Sequence, residues 1–539
     1  MFFIHNVILY IKIQTMKHLL LLVSFTFSYS LTAQTWSDDV AEIFYEKCTK
    51  CHYTGGVAPF PLMTHAETTP FAIAIYDAIN QNEMPPWPPN NDYQSYSHDR
   101  SLDPAEKTTV LNWLTAGTPE GNPANTPPPP VYSNGSLLGN GDLEVQMPTY
   151  MSKATASGDD YVCFALPSNL PSERVIKAIE IIPGNLEIVH HALIYIDPTN
   201  SCVTDSVGGD CGGPSSNNAS LVMGYTPGST PLTLPTSAPL KLGVTMPANS
   251  QVVMAMHYPE GSYGQFDSTK VIFHFYPPGE TGVRQVSTAP ILQNWSFVLP
   301  PDQVTEVTAQ YPASGGIPVD YSLLSVFPHM HLLGESMLVY GIKPNNDTLK
   351  LIDVPHYDFE WQDFYFYKNI QKADAGTILH AKSTYNNTSG NLHNPNNPPI
   401  AVYPGLNTAD EMMITYMHFM QYAPGDETYN LDSLINLSVN ILIQDENGVA
   451  TLNVYPNPFD NEMNIYTNQV SSGDQVSVSV FDSKGTMVNK VACNYIVQGD
   501  ELHLKWNGQN LRGQAVDRGV YFLSININGV LSHQRVIKH

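Results

Sequence analysis

Between residues 142 and 445 the chain keeps returning to short apolar or alternating runs, "KAIEIIP", "HALIYID", "QVVMAMHYP" and "STKVIFHFYP" among them, each followed by turn-forming residues. Period-two alternation sends successive side chains to opposite faces of a strand, and strands renewed at short, even spacing close as antiparallel sandwiches. Some 300 residues of this pattern predict two sandwiches in tandem, since one such domain takes about 100 to 150. The supply of 43 Pro, 36 Gly and 30 Tyr suits turns and strands, and 539 residues exceed what one core can serve. The expected fold class is therefore mainly β. A small α-helical domain (34–122) and a Pro-rich linker (123–140, "NPANTPPPPVYSNG") precede two antiparallel, jelly-roll-like β-sandwiches (141–300 and 301–447), and a small β-sandwich (448–539) ends the chain.

Net charge is −25 with only 14% charged residues, which leaves no basic surface for nucleic acid. The stretch "MKHLLLLVSFTFSYSLTAQ" has the basic start, apolar centre and small residues of a secretory signal peptide, predicted over 1–33 with Met16 as the alternative start. Export places the six cysteines in an oxidising compartment.

Cys48, Cys51 and His52 in "CTKCH" have the C-x-x-C-H spacing, in which two thiols take up the haem vinyl groups and the imidazole binds iron. A helix capped by Ser37 and running through Val40, Ile43, Phe44 and Lys47 is expected before the motif. A second is expected from Asp103-Pro104, with Glu106, through Val110, Leu111, Trp113 and Leu114. Met84 in "NEMPPWPP" is the expected sixth ligand, because flanking prolines restrict the loop that presents its sulfur; Met63 is the second candidate and His65 the third. The set "CTKCH", "GGVAPFPLMT", "MPPWPP" and "NWLTAGTPEG" resembles bacterial cytochrome c modules over residues 38–122.

Histidines collect in the sandwich region. His190 and His191 are adjacent in "IVHHALIYID", His257 lies in "MAMHYPEG", His329 and His331 form H-x-H in "FPHMHLLG", and Met412 sits in the acidic turn "TADEMMITY". Two residues apart on a strand share a face, so His329 and His331 can grip one ion. Adjacent residues face opposite ways, so His190 and His191 need a bulge or an edge position to meet one ion. Imidazole suits zinc and copper alike, whereas a thioether favours Cu(I), and a His-His-Met set points to redox copper rather than hydrolytic zinc.

These stretches resemble the copper type II, ascorbate-dependent monooxygenases, the family of peptidylglycine α-hydroxylating and dopamine β-monooxygenases, over roughly 145–440. The resemblance implies an electron-transfer copper on His190, His191 and His257, and a catalytic copper on His329, His331 and Met412, which would be the catalytic residues. It implies insertion of one atom of O2 into a C–H bond of a small molecule, the other leaving as water. The two electrons are expected to come from an external donor, an ascorbate-like reductant or a redox protein, and to pass through a covalently bound haem c. Ser383 and Met413 stand where many members have a cysteine pair, and Phe327 stands where the amidating enzymes have an arginine, which removes a charge-assisted partner for a peptide carboxylate. Tyr416 falls at a substrate-contacting position. A bridge is expected within Cys163, Cys202 and Cys211 without the pair being fixed, and Cys493 has no evident partner.

Past residue 450, "LNVYPNPFDNEMNI" and "WNGQNLRGQAVDRGVYFLSI" alternate around turns and resemble the C-terminal sorting domain of type IX secretion over 452–539. That implies handling by the type IX machinery and delivery outside, or onto the outer surface of, a Gram-negative, Bacteroidetes-like cell. The alternative functional reading is a non-catalytic copper and haem electron-transfer protein.

Overall fold

Asp103 accepts from the backbone N–H of Ala105 and Glu106 while Glu106 accepts from the Asp103 N–H, and Pro104 fills the first turn, so this helix starts where the sequence puts it. This description rests on a computed structural model, which describes residues 34–435, 438 and 452–539 apart from short stretches at 131, 133–135, 156–157, 208–210, 468–475, 483–486, 492–495, 499–500 and 528–529. The signal peptide expected over 1–33 and Cys493 lie outside the described residues. Two compact units result: residues to 54, 58–86 and 100–131 form the first, and 55–57, 87–99 and 132–539 the second.

The first unit is helical. Helices α1 (Ala41–Lys47), α2 (Ala72–Asn80) and α3 (Pro104–Thr115) enclose Trp36, Phe44, Leu62, Ile75, Ile79, Val110 and Trp113. The expected cap at Ser37 is corrected: Thr35 caps, accepting from the Asp38 N–H, and a π turn over Trp36–Val40 leads into α1. Ser37 is buried and donates instead to the Glu120 carbonyl. Residues 87–99 pack with the second unit, where Tyr96 is buried against Tyr365 and Tyr367 and Asn90 donates to the Asp353 carboxylate.

Among the described residues the second unit holds three β-sandwiches, the first with an additional two-stranded sheet. In the first, strands β1 (Asp160–Pro167), β2 (His191–Asp197), β3 (Ser220–Tyr225) and β4 (Gln251–Tyr258) make a four-stranded sheet in the order β1-β4-β2-β3. In the second, β5 (Ser287–Gln293), β6 (Tyr321–His329), β7 (Tyr365–Ala373) and β8 (Ile414–Gln421) run in the order β5-β8-β6-β7. Strand β5 therefore belongs to the second sandwich, seven residues or more before the expected boundary at 300, because it pairs with β8 from Ser287↔Phe419 to Gln293↔Ile414. The third sandwich, two four-stranded sheets within 452–538, packs around Met463, Ile465, Val480, Leu504, Trp506 and Leu523.

Alternation along β2 and β4 explains why these strands read as unbroken apolar runs. Ile194, Ile196, Val252, Met254 and Met256 enter the first core, and the opposite face, Leu193, Tyr195, Val253 and Ala255, packs against Phe327, Phe364 and Tyr416 of the second sandwich. Both faces are covered, so neither needs to be polar. His191 and His257 sit on that outer face by register with Leu193 and Ala255.

The cysteine question resolves as Cys163–Cys211, with Cys202 free and buried. The bridge spans 48 positions, and by chain entropy a loop of that length is worth about 4 kcal/mol. Chemical denaturation of a Cys163→Ser, Cys211→Ser double variant is expected to show a loss of ~2–4 kcal/mol in the first sandwich.

Candidate metal sites

Strand β2 begins at His191, and His190 lies one residue outside it, its N–H donating to the His257 carbonyl. Of the expected bulge or edge position, neither occurs at the pair; a strand end takes their place, and outside the ladder His190 escapes the alternation and turns its ring to the same side as its neighbour. His191 and His257 are directly opposite in the β2–β4 ladder. His190 Nδ1 and His257 Nδ1 each lie 3.2 Å from His191 Nδ1, and among the described residues these three side chains form a group whose ligand atoms are all within 4.8 Å of one another. Nitrogens about 3.3 Å apart are neighbours around one ion with bonds of ~2 Å, so the donor set fits a metal held through three Nδ1 atoms. Burial first, then neighbouring imidazoles, holds His191 and His257 well below the usual histidine value, which keeps their lone pairs free.

Outer partners complete this set. Tyr161 stacks flat on His257, centroids 4.3 Å apart, and takes a hydrogen bond of 2.6 Å from Thr408 of the second sandwich. Asp159 lies 3.1 Å from His257 Nε2, off the N–H line. The Glu360 carboxylate bonds His190 Nε2.

On the second sandwich, β6 ends at His329, and His331 follows two residues on. His329 Nε2 is 3.2 Å from Met412 Sδ, and the two imidazole rings are 5.2 Å apart. His329 Nδ1 is engaged by Gln362 Oε1 and His331 Nδ1 by the Asp410 carbonyl at 3.1 Å, so each ring keeps Nε2 for an ion. Burial lowers His329 to about 3 and His331 to about 4. Glu411, fully buried, accepts from the backbone N–H of His331, Leu333 and Met412 at 2.9, 2.7 and 3.0 Å, tying the H-x-H segment to the methionine turn. Two imidazoles and a thioether fit a soft ion better than zinc. Beside His329 stand Phe327, with ring centroids 6.0 Å apart, Tyr416 at 5.9 Å from Phe327, and Phe364 at 4.9 Å: ring faces and one hydroxyl, without charge.

In the first unit, Cys48 and Cys51 are both free thiols, and His52 Nδ1 meets the Phe60 carbonyl at 2.9 Å, which fixes the tautomer and leaves Nε2 available. Two unbridged thiols and one oriented imidazole fit attachment of a haem. Met84 is 39% exposed and Met63 half-buried. His65 Nε2 donates to the Thr118 carbonyl at 2.8 Å, and its ring packs against Trp36 and Trp113.

Sequence reading missed Asp159, Tyr161, Phe359, Glu360, Gln362 and Glu411. The available signals were "DEM", an acid beside the methionine, and "HYDFEWQDF", an aromatic and acidic run between strands.

A family model described as copper type II ascorbate-dependent monooxygenase, C-terminal domain, matches residues 296–432, and a secretion system C-terminal sorting domain matches 453–539. The chain is 25% identical over 350 residues to DBH-like monooxygenase protein 1 of Mus musculus, covering 60% of this chain and 53% of that protein, so it spans about half the length of that relative. Among solved structures, PorZ of Porphyromonas gingivalis, described as an essential surface component of the type-IX secretion system, is 21% identical over 16% of this chain and 11% of its own, at a TM-score of 0.13. Dimeric latent PorU of the same organism is 13% identical over 69% and 34%, at a TM-score of 0.15. Scores this low carry no argument about the fold.

Proposed function

We propose, from the match of residues 296–432 to the copper type II ascorbate-dependent monooxygenase C-terminal domain and of residues 453–539 to the secretion sorting domain, that the chain is an exported dicopper monooxygenase acting on a small neutral substrate. The observation that carries the reading is the pairing of two different donor sets on facing sheets, three imidazole Nδ1 atoms on one and two Nε2 atoms with a thioether on the other. His190, His191 and His257 would hold one copper; His329, His331 and Met412 the other, as the catalytic residues. When bound, the pair supplies one-electron transfer and activation of O2.

The protein's own contribution is positioning and exclusion of water. Gln362 and the Asp410 carbonyl fix the tautomers of His329 and His331, so both rings meet an ion without reorganising. Phe327 and Phe364, buried in the seam, and the part-buried Tyr416 make the surroundings of His329 apolar and uncharged with one hydroxyl nearby, which favours neutral aromatic or alkyl compounds over carboxylates. In this reading Cys48 and Cys51 attach a haem c with His52 and Met84 as axial ligands, and a covalently tethered donor needs no diffusional encounter. An external reductant, ascorbate-like or a redox protein, refills the haem. The sorting domain addresses the chain to the type IX route, and the mature protein works outside the cell or on its surface.

The test combines metal and haem stoichiometry with 18O2 incorporation across neutral aryl and alkyl substrates and matched carboxylates. Two coppers, one haem and incorporation of one labelled oxygen per two electrons are expected, with neutral substrates preferred. Reduction of both metals without incorporation on any substrate would leave an electron carrier instead. In rapid mixing, reduced haem that persists while copper stays oxidised would remove the haem from the electron route.

A further inference from the structure

The loop from Tyr357 to Gln362 touches both donor sets, although it belongs to the second sandwich. Tyr357 anchors it, its hydroxyl accepting from the Met330 N–H at 3.0 Å and donating to the Met330 carbonyl at 2.9 Å. Asp358 then takes the Glu360 N–H at 2.9 Å, and the Gln362 amide donates to the Phe359 carbonyl at 2.7 Å, so the turn is braced by its own polar groups. From this turn Gln362 reaches His329, and the Phe359 ring lies 6.3, 6.4 and 5.9 Å from the rings of His191, His257 and His331. Glu360 reaches His190, 170 positions away in the chain.

The contact is on Nε2, the far side of the ring from the Nδ1 that faces His191, so Glu360 is an outer partner rather than a ligand. Resting on the copper reading above, we infer that Glu360 is a positioning residue for the first copper, supplied in trans by the second sandwich, so that the redox behaviour of the electron-transfer site depends on the two sandwiches being together. A carboxylate that accepts from the outer N–H of a ligating imidazole fixes the ring and makes its inner nitrogen a stronger donor. A stronger donor favours the more highly charged, oxidised ion. The second sandwich thereby biases the site that delivers electrons to it, through one hydrogen bond at the seam. Glu360 is 60% exposed at its side chain, so its removal leaves no buried cavity and the fold is expected to survive.

The experiment uses the full-length, copper-loaded protein and its Glu360→Gln, Glu360→Ala and Glu360→Asp variants, each also in a His331→Ala background that retains only the first copper. Copper affinity, the copper electron paramagnetic resonance signal and the reduction potential are measured. Glu360→Gln and Glu360→Ala are expected to weaken first-site affinity by about 10- to 100-fold and to raise its potential, a tenfold change in the relative affinity for the two oxidation states reading as ~59 mV. Glu360→Asp should recover part of both. An unchanged potential and spectrum in the Gln and Ala variants, with wild-type copper content, would overturn the inference and leave the copper reading intact. A wild-type protein that takes up no copper would sink both.

Discussion

Alanine in place of Met412 is expected to lower hydroxylation about 100-fold or more, a barrier increase of at least ~2.7 kcal/mol, while the first copper stays bound and reducible. Met412 is 6% exposed, and its sulfur is the one donor that distinguishes the second set from the first. Without it two imidazoles remain, and copper content should fall from two per chain towards one. Met412→His makes the sharper comparison. A third imidazole holds copper in either oxidation state but removes the soft donor that favours Cu(I), so metal content should recover while turnover does not. Copper analysis, O2 uptake and product formation on the same preparations separate these outcomes. Wild-type turnover in Met412→Ala would mean that the thioether has no part in the chemistry.

Strand register sets part of the two-site arrangement, placing His191, His257 and His329, while His190, His331 and Met412 lie just outside the strands. His191 and His257 face outward from the first sheet because Ala192, Ile194, Met254 and Met256 face inward, and His329 shares a face with Phe327 for the same reason. Covering both outer faces with each other places the two donor sets on one seam. Thr408 on Tyr161 and Glu360 on His190 are polar ties across that seam.

Period-two patterning makes the sandwich class legible in the amino-acid sequence itself, and the acidic methionine turn is readable in one short stretch; His329 and His331 do meet, but His331 lies beyond the end of β6, so strand alternation is not what joins them. The meeting of His190 with His191 is not, because alternation holds only inside a ladder and nothing local marks where the β2 ladder begins. Residues brought in by loops are equally invisible. Glu360 and Gln362 are ordinary polar residues in "HYDFEWQDF", and their roles depend on a turn that closes onto histidines 170 and 33 positions earlier. Nor can the cysteine pairing be read, since Cys202 and Cys211 both follow the HH strand and only the path of the backbone selects Cys211.

Glu411→Ala is expected to cost about 3–9 kcal/mol, because it strands three buried backbone N–H groups at roughly 1–3 kcal/mol each, a large share of a domain's ~5–15 kcal/mol. Glu411→Gln should cost less, since one carbonyl oxygen can still take the His331 and Met412 donors while the amide meets the Leu333 N–H badly. The pH dependence separates the two variants from the wild type. Burial raises Glu411 to about 8 against the lowering effect of its three donors. Below pH ~4.5 the folded and unfolded forms are both protonated and the carboxyl contributes fully; as pH rises towards 8 the unfolded chain releases a proton that the folded one keeps, and that contribution is lost. The advantage of wild type over Glu411→Gln in the metal-free protein should therefore shrink as pH rises through this window. His329 and His331 act in the opposite sense: lowered to about 3 and 4, they leave stability intact above pH ~6.5 and erode it as pH falls, when the unfolded chain takes up protons first. Thermal unfolding of the full chain from pH 4.5 to 8, followed at the transition that copper loading shifts, measures both slopes. Equal stability of Glu411→Ala and wild type at pH 5 would show that the three N–H groups find other partners and that Glu411 does not hold the methionine turn to the H-x-H segment.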